Sequence, residues 1–398
     1  MRQRLLWVLV GAILLSGSER VGAQQPGQPA GSSAPPAAAA ASAGKSEKAF
    51  DPMEATRAYL AKVPPEKRAR SNAYFEGGYW LLLWDFLYGA AVSILLLALS
   101  WSARMRNLAE RITRRKPLQS LIYWTQYAIV AFVLVFPLTF YEGYVREHKY
   151  GLATQSFGPW FGDQAKGLAV TVILGGVFVM AFYGVLRRAS RSWWIWGSAV
   201  VIVFFIISIV IAPIWSAPLF NKYTPLEDPT IRDPILSLAR ANGIKVSEVY
   251  VVDASRQSNR VSANVSGFLG TQRISLNDNL LKRCSPAEIE AVMGHEMGHY
   301  VLNHVHKSVV FFSILIVLGF AFVRACMDRV LRRWGERWGV RGVGDVAGAP
   351  LMLLLISAYF FILTPVTNTI IRTQEFEADM YGLNAAREPD GEAEVDLK

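Results

Sequence analysis

His295-Glu296-Met297-Gly298-His299-Tyr300-Val301-Leu302-Asn303-His304-Val305-His306-Lys307 holds four of the five histidines in a chain of 398 residues. It opens as His-Glu-x-x-His. Residues four apart share one face of a helix, so His295 and His299 can bind one metal ion, with Glu296 beside them to act as a base. A catalytic zinc takes three protein ligands and keeps one open position. The fold therefore has to bring a third ligand to this helix from elsewhere in the chain. The plainer alternative, a helix that happens to carry two histidines, is weakened by what precedes it. Ser285-Pro286-Ala287-Glu288 combines a capping serine, a proline at the first helical position and a glutamate that closes a capping box. The sequence predicts that this helix runs on without a break into a membrane span, with His304 and His306 as helix or interface residues near the start of that span.

Outward from this stretch the chain is too apolar for an ordinary soluble enzyme. Its hydrophobic fraction is 52% before any of the 31 glycines is counted, and its mean hydropathy is +0.26. Soluble domains reach about 45–50% with glycine included. The fold class expected is mainly α: a polytopic membrane helical protein with a zincin-like α+β segment inserted between spans. Spans are predicted at 79–101, 121–141, 167–187, 193–215, 308–325 and 350–370, each close to the ~20 residues that cross a bilayer. A charged start, a short apolar core and Val21-Gly22-Ala23 make residues 1–23 a signal peptide or an N-terminal anchor, which gives six or seven spans. Residues 24–70 read as a low-complexity linker, 71–225 as a four-span domain, 226–307 as the metal-binding segment, 308–370 as a span pair and 371–398 as a third-ligand helix. Asp85, inside the first span, lines a polar cavity or sits shallow near one interface. Cys284 and Cys326 lie in separate contexts, and no disulfide is expected.

The net charge of +10 reports orientation rather than a nucleic-acid partner. Arginines gather in three short loops: Arg104, Arg106, Arg111, Arg114 and Arg115; Arg187, Arg188 and Arg191; and Arg329, Arg332, Arg333, Arg337 and Arg341. All three fall on one side, and the positive-inside rule makes it cytoplasmic. The metal segment and residues after 370 then lie on the non-cytoplasmic side. On that side, Arg372-Thr373-Gln374-Glu375-Phe376-Glu377-Ala378-Asp379 follows the last span. In a helix Glu375 and Asp379 share a face while Glu377 points away. Glu375 is the candidate third ligand, and Asp379 the candidate partner of a ligand histidine. The alternative is a solvated acidic helix face.

These residues carry a family resemblance. Ala291 through His299, followed by Asn303-His304, resembles the active-site helix of the type I CAAX prenyl proteases, which are membrane-embedded zinc metalloproteases. Pro218-Leu219-Phe220-Asn221-Lys222-Tyr223-Thr224-Pro225-Leu226-Glu227, Ser262-Ala263-Asn264-Val265, Arg273-Ile274-Ser275-Leu276-Asn277-Asp278 and residues 372–379 are similar too. The resemblance covers roughly residues 75–390. It implies one zinc ion (Zn2+) held by His295, His299 and Glu375, Glu296 as catalytic base, and Asn264 binding the substrate backbone as an added strand. The implied partners are a peptide or protein substrate, lipidated or not, and the lipid bilayer. Nothing in the sequence specifies an oligomer. The family's Asp-His-Pro-type motif does not occur before Lys398, so a truncated chain or an impaired activity is expected. The exported orientation bears against a prenyl-CAAX substrate and favours quality control of membrane proteins. A transporter or scaffold with a structural zinc is the reading from another class.

Overall fold

The computed structural model describes residues 51–211, 217–266 and 272–397. The leader expected over 1–23 lies outside them. The linker expected to reach residue 70 gives way at Asp51, whose carboxylate caps helix α1 (Pro52–Leu60) by accepting from the Met53 and Glu54 amides. A second proline-led helix, α2 (Pro65–Ala98), begins well before the predicted span. It stops where Ser100 turns left-handed (φ 54°). Trp101, expected as a span end, instead starts α3 (Trp101–Ile112). One face of α3 buries Ser102, Ala103, Met105, Arg106 and Ala109, while Arg104 and Arg111 stay exposed. The first basic loop is thus an amphipathic helix.

The bundle continues with α4 (Lys116–Phe140), α5 (Phe157–Arg188) and α6 (Trp193–Ile211). Beyond Phe140 the chain stays helical through a π-helical turn, Tyr141–Arg146, and on to Lys149. Among the described residues, five helices are long and apolar enough to cross a membrane, and a bent pair brings the number to six. Apolar side chains such as Ile94, Val133, Ile173 and Ile314 point outward, as a lipid-facing surface requires.

Residues 223–266 and 272–301 form an α+β unit. Its sheet runs β1-β2-β4-β3, from β1 (Tyr223–Pro225), β2 (Val249–Val252), β3 (Ala263–Ser266) and β4 (Arg273–Asn277). The β2 and β4 strands are parallel, whereas β1 and β3 pair antiparallel to their neighbours. Ile274 and Leu276 of β4 are fully buried against Ile235 and Ala239 of α7 (Pro229–Ala241) and against Ile289, Met293 and Met297 of α9 (Pro286–Val301). A short α8 (Asp278–Arg283) links β4 to α9, and Ser285 and Glu288 form the capping box read from the sequence.

The α9 helix does not run on into the membrane. It ends at Leu302, Asn303 adopts the left-handed conformation (φ 58°), and α10 (His304–Trp338) starts anew. Asparagine is one of the few residues that takes this conformation at low cost. The last predicted span is likewise two helices, α11 (Ala349–Ile362) and α12 (Thr364–Ala386), bent by 58°. Residues 371–386 therefore continue α12 rather than open a separate segment, and α13 (Pro389–Val395) packs back on α9.

The two ends of the bundle differ. At one end the three arginine-rich loops meet. Arg106 donates to the Gly339 carbonyl (2.8 Å) and pairs with Asp345, Arg341 pairs with Glu110 (2.7 Å), and Arg187 Nε reaches the Gly344 carbonyl (3.2 Å). At the other end the α+β unit is tied to the membrane helices. Buried Glu147 accepts from Arg260 (2.7 Å) and from the Tyr74 hydroxyl (2.8 Å), and Ala153 bridges Ser258. Cys284 and Cys326 form no disulfide.

Candidate metal centre

The α9 and α12 helices cross closely because small residues line both sides. A Cβ added at Gly382 would stand 2.7 Å from the His295 amide nitrogen, and one at Gly294 would meet the Gly382 carbonyl at 3.0 Å. At Gly298 it would lie 3.1 Å from the Ala378 carbonyl. The pattern Gly294-x3-Gly298 on one helix and Ala378-x3-Gly382 on the other lets the backbones approach. Two faces that are 84 residues apart in sequence thereby share one site.

His295 Nε2 and His299 Nε2 lie 3.1 Å apart, and Glu375 Oε2 is 3.5 Å from each. Three ligands of a tetrahedral zinc at ~2.0–2.1 Å stand about 3.3 Å from one another. The three atoms fit one face of such a tetrahedron, and two nitrogens with one carboxylate oxygen form the donor set of a catalytic site. The structure thus brings His295, His299 and Glu375 together, as the sequence suggested. Asp379 Oδ1 sits 2.8 Å from His295 Nδ1. The carboxylate can only accept, so His295 donates from Nδ1, and its Nε2 faces His299 and Glu375. The local field is negative. Burial works against a charged His295, yet hydrogen bonds to Asp379 and Glu375 and the nearby Glu296 charge outweigh it and push the imidazole up to about 10. A point that so favours a proton also favours a divalent cation. Glu296, half-buried on α9, directly follows His295.

Two further residues lie against this cluster. His304 is a helix residue at the start of a span, as expected, being the first residue of α10, but it is also 3% exposed, with Nδ1 2.8 Å from His299 Nδ1 and Nε2 2.9 Å from Glu377 Oε2. Glu377 does point away from the Glu375–Asp379 face, and it does so toward His304 and Lys307 (2.6 Å). The signal was Asn303, whose tolerance of a left-handed turn permits a break that folds His304 back on His299. His306 is exposed.

Asn264 lies on β3, the outer strand beside β4, opposite Ser275. Ala263 and Val265 face the core shared with α9, so strand alternation turns the Asn264 side chain to the other face. Its Oδ1 is buried and finds no hydrogen-bond partner among the described residues. Asp85 is half-buried in α2. At the C-terminal end, Gly391 of α13 sits against the Ala287 carbonyl of α9, and Glu392 lies close to Asp379 and His295.

Fold and site together define a polytopic membrane protein whose inserted α+β unit carries a His-Glu-x-x-His metal centre. The family described as "CAAX prenyl protease N-terminal, five membrane helices" matches residues 53–222, and "Peptidase family M48" matches residues 225–397. The chain belongs to peptidase family M48, a metalloprotease family, and is an integral membrane protein. It is 29% identical over 282 residues to the uncharacterized metalloprotease YhfN of Bacillus subtilis, which covers 71% of this chain and 66% of that protein. It is 31% identical over 251 residues to the CAAX prenyl protease 1 homolog of Arabidopsis thaliana, covering 62% of this chain and 58% of the relative. The crystal structure of S. mikatae Ste24p shares the fold, with a TM-score of 0.69 at 23% identity over 88% of this chain and 85% of that one. The chain therefore spans less than two thirds of the length of these curated relatives.

Proposed function

We propose that the protein is a zinc-dependent membrane endopeptidase. The observation that carries this reading is the triangle of His295 Nε2, His299 Nε2 and Glu375 Oε2, with edges of 3.1, 3.5 and 3.5 Å. His295, His299 and Glu375 would hold the zinc, which would supply a Lewis acid for the scissile carbonyl and the attacking water. Glu296 takes the proton from that water and returns it to the leaving amine. Asp379 keeps His295 in the tautomer that presents Nε2. The backbone of β3 offers its outer edge to an extended peptide, which would add as a fifth strand beside Asn264. Because the Asn264 side chain faces away from α9, its backbone is the part that guides the substrate.

Substrates follow from placement. A site at the mouth of a helical bundle suits peptides held at or in the membrane. Several relatives are named CAAX prenyl proteases, which supports a lipidated C-terminal substrate. The alternative, quality control of membrane proteins without prenyl specificity, is favoured by orientation. The three arginine-rich loops gather at the end of the bundle opposite the metal centre, and by the positive-inside rule this supports a centre outside the cytoplasm.

Glu296→Gln tests the mechanism. Hydrolysis of a reporter peptide should fall by about 10²–10⁴-fold with one zinc still bound, and undiminished hydrolysis would sink the assignment. Orientation is tested with Ser247→Cys, an exposed position, in a C284S/C326S background. A membrane-impermeant maleimide should label it in intact cells, whereas labelling only after lysis reverses the topology.

A further inference from the structure

His295 and His299 are supported differently, and the second support is unassigned. His295 Nδ1 meets a carboxylate, Asp379, at 2.8 Å. His299 Nδ1 meets another imidazole, His304, at 2.8 Å. Two ring nitrogens form a hydrogen bond only when one carries a proton and the other a lone pair. The far side of His304 decides which. Its Nε2 lies 2.9 Å from Glu377 Oε2, which as a carboxylate only accepts. A neutral His304 therefore carries its proton on Nε2 and presents a lone pair at Nδ1. His299 must then donate from Nδ1, and its own lone pair is left on Nε2, which faces His295 and Glu375.

We propose that His304 is a positioning residue for metal binding. It holds His299 in the Nδ1-protonated tautomer and is itself anchored by Glu377, which Lys307 grips at 2.6 Å. This rests on the reading that His295, His299 and Glu375 bind the metal. The device exists because of the chain break at Asn303. In an unbroken helix, residue 304 would stand five positions, about 500° of rotation, beyond His299 and off its face. The left-handed Asn303 starts a new helix axis, which swings His304 back and buries it between α9 and α12. The α12 helix consequently supplies three carboxylates in alternate positions. Glu375 faces the metal point, Glu377 serves His299 through His304, and Asp379 serves His295 directly.

The test is zinc affinity of the purified full chain in detergent, measured by competition with a chromophoric chelator, with thermal unfolding of each metal-free variant recorded alongside. His304→Leu should weaken zinc binding by about 10–100-fold with little change in metal-free stability. His304→Asn, whose side-chain oxygen can accept from His299, should recover most of that loss. Glu377→Leu should weaken binding by about tenfold. Wild-type affinity in a folded His304→Leu protein would overturn the proposal, as would an Asn variant as weak as the Leu variant. If His304→Leu does not fold, Glu377→Leu decides, because wild-type affinity there also overturns it. His295→Ala is the control for the underlying reading. If it binds zinc as well as wild type, the ligand set is wrong; if only the His304 and Glu377 variants do, the ligands stand and the relay falls.

Discussion

The two ends of the helical bundle both gather charged groups, and they handle them in opposite ways. At the arginine-rich end, Arg106 and Asp345 are each 7% exposed, and the needs of both are met within the chain. Arg106 donates to Asp345, to the Gly339 carbonyl and to Asn107 Oδ1, while Asp345 also accepts from the Arg341 and Ala347 amides. At the other end His295, His299 and Glu375 turn acceptor atoms toward one another. Donors and acceptors cancel in the first cluster. In the second, hydrogen bonds from His295 to Asp379 and from His299 to His304 leave both Nε2 atoms facing a common point. A structural polar cluster closes on itself; a site leaves one vertex to be filled from outside.

Breaking the close approach of α9 and α12 should have the largest effect. Gly382→Val puts a branched side chain where even a Cβ is 2.7 Å from the His295 nitrogen. The helices must separate, and metal affinity should drop by at least about 10–100-fold, read by chelator competition, with peptide hydrolysis lost in parallel. Arg106→Met sharpens the contrast from the other end. It strands Asp345 in a buried position and should cost about 3–5 kcal/mol of stability, seen in thermal unfolding, while the zinc affinity of the folded protein stays at the wild-type value. A drop in affinity there would mean that the two ends are coupled.

The smallest effect concerns a self-satisfied cluster inside the α+β unit. Asp278 accepts from the Ser255 amide (2.8 Å) and from Lys282 (2.8 Å). Burial raises its carboxyl, but hydrogen bonds from Lys282 and Ser255 outweigh this and hold it below the ordinary 3.8. A depressed carboxylate stabilises the fold above its unfolded-state value and loses that contribution as the pH falls through the folded one. Asp278→Asn should therefore destabilise by about 1 kcal/mol at neutral pH, and the gap to wild type should close below about pH 4. A gap independent of pH would assign the effect to packing.

Much of this was legible in advance because it rests on local rules. Hydropathy over about 20 residues marks a span whatever surrounds it, and Ser285 with Glu288 marks a helix start. Spacing of four residues puts His295 and His299 on one face, and the same spacing does so for Glu375 and Asp379. What escaped depended on conformation at single residues. Nothing in hydropathy shows that Asn303 turns left-handed, that the chain bends by 58° after Ile362, or that α2 begins at Pro65. Each is a matter of backbone dihedrals at one or two residues, which an average over about 20 residues does not register.

By itself the sequence named the parts of the proposed metal centre: the candidate donor residues, and the helices that carry them. Periodicity suffices for that, since it acts within a few residues. Only the tertiary structure decided the distances among the three donor atoms, the orientation of Asn264 and the recruitment of His304 and Glu377. Those depend on how closely α9 and α12 approach, and Gly294, Gly298, Ala378 and Gly382 set that approach through the side chains they lack.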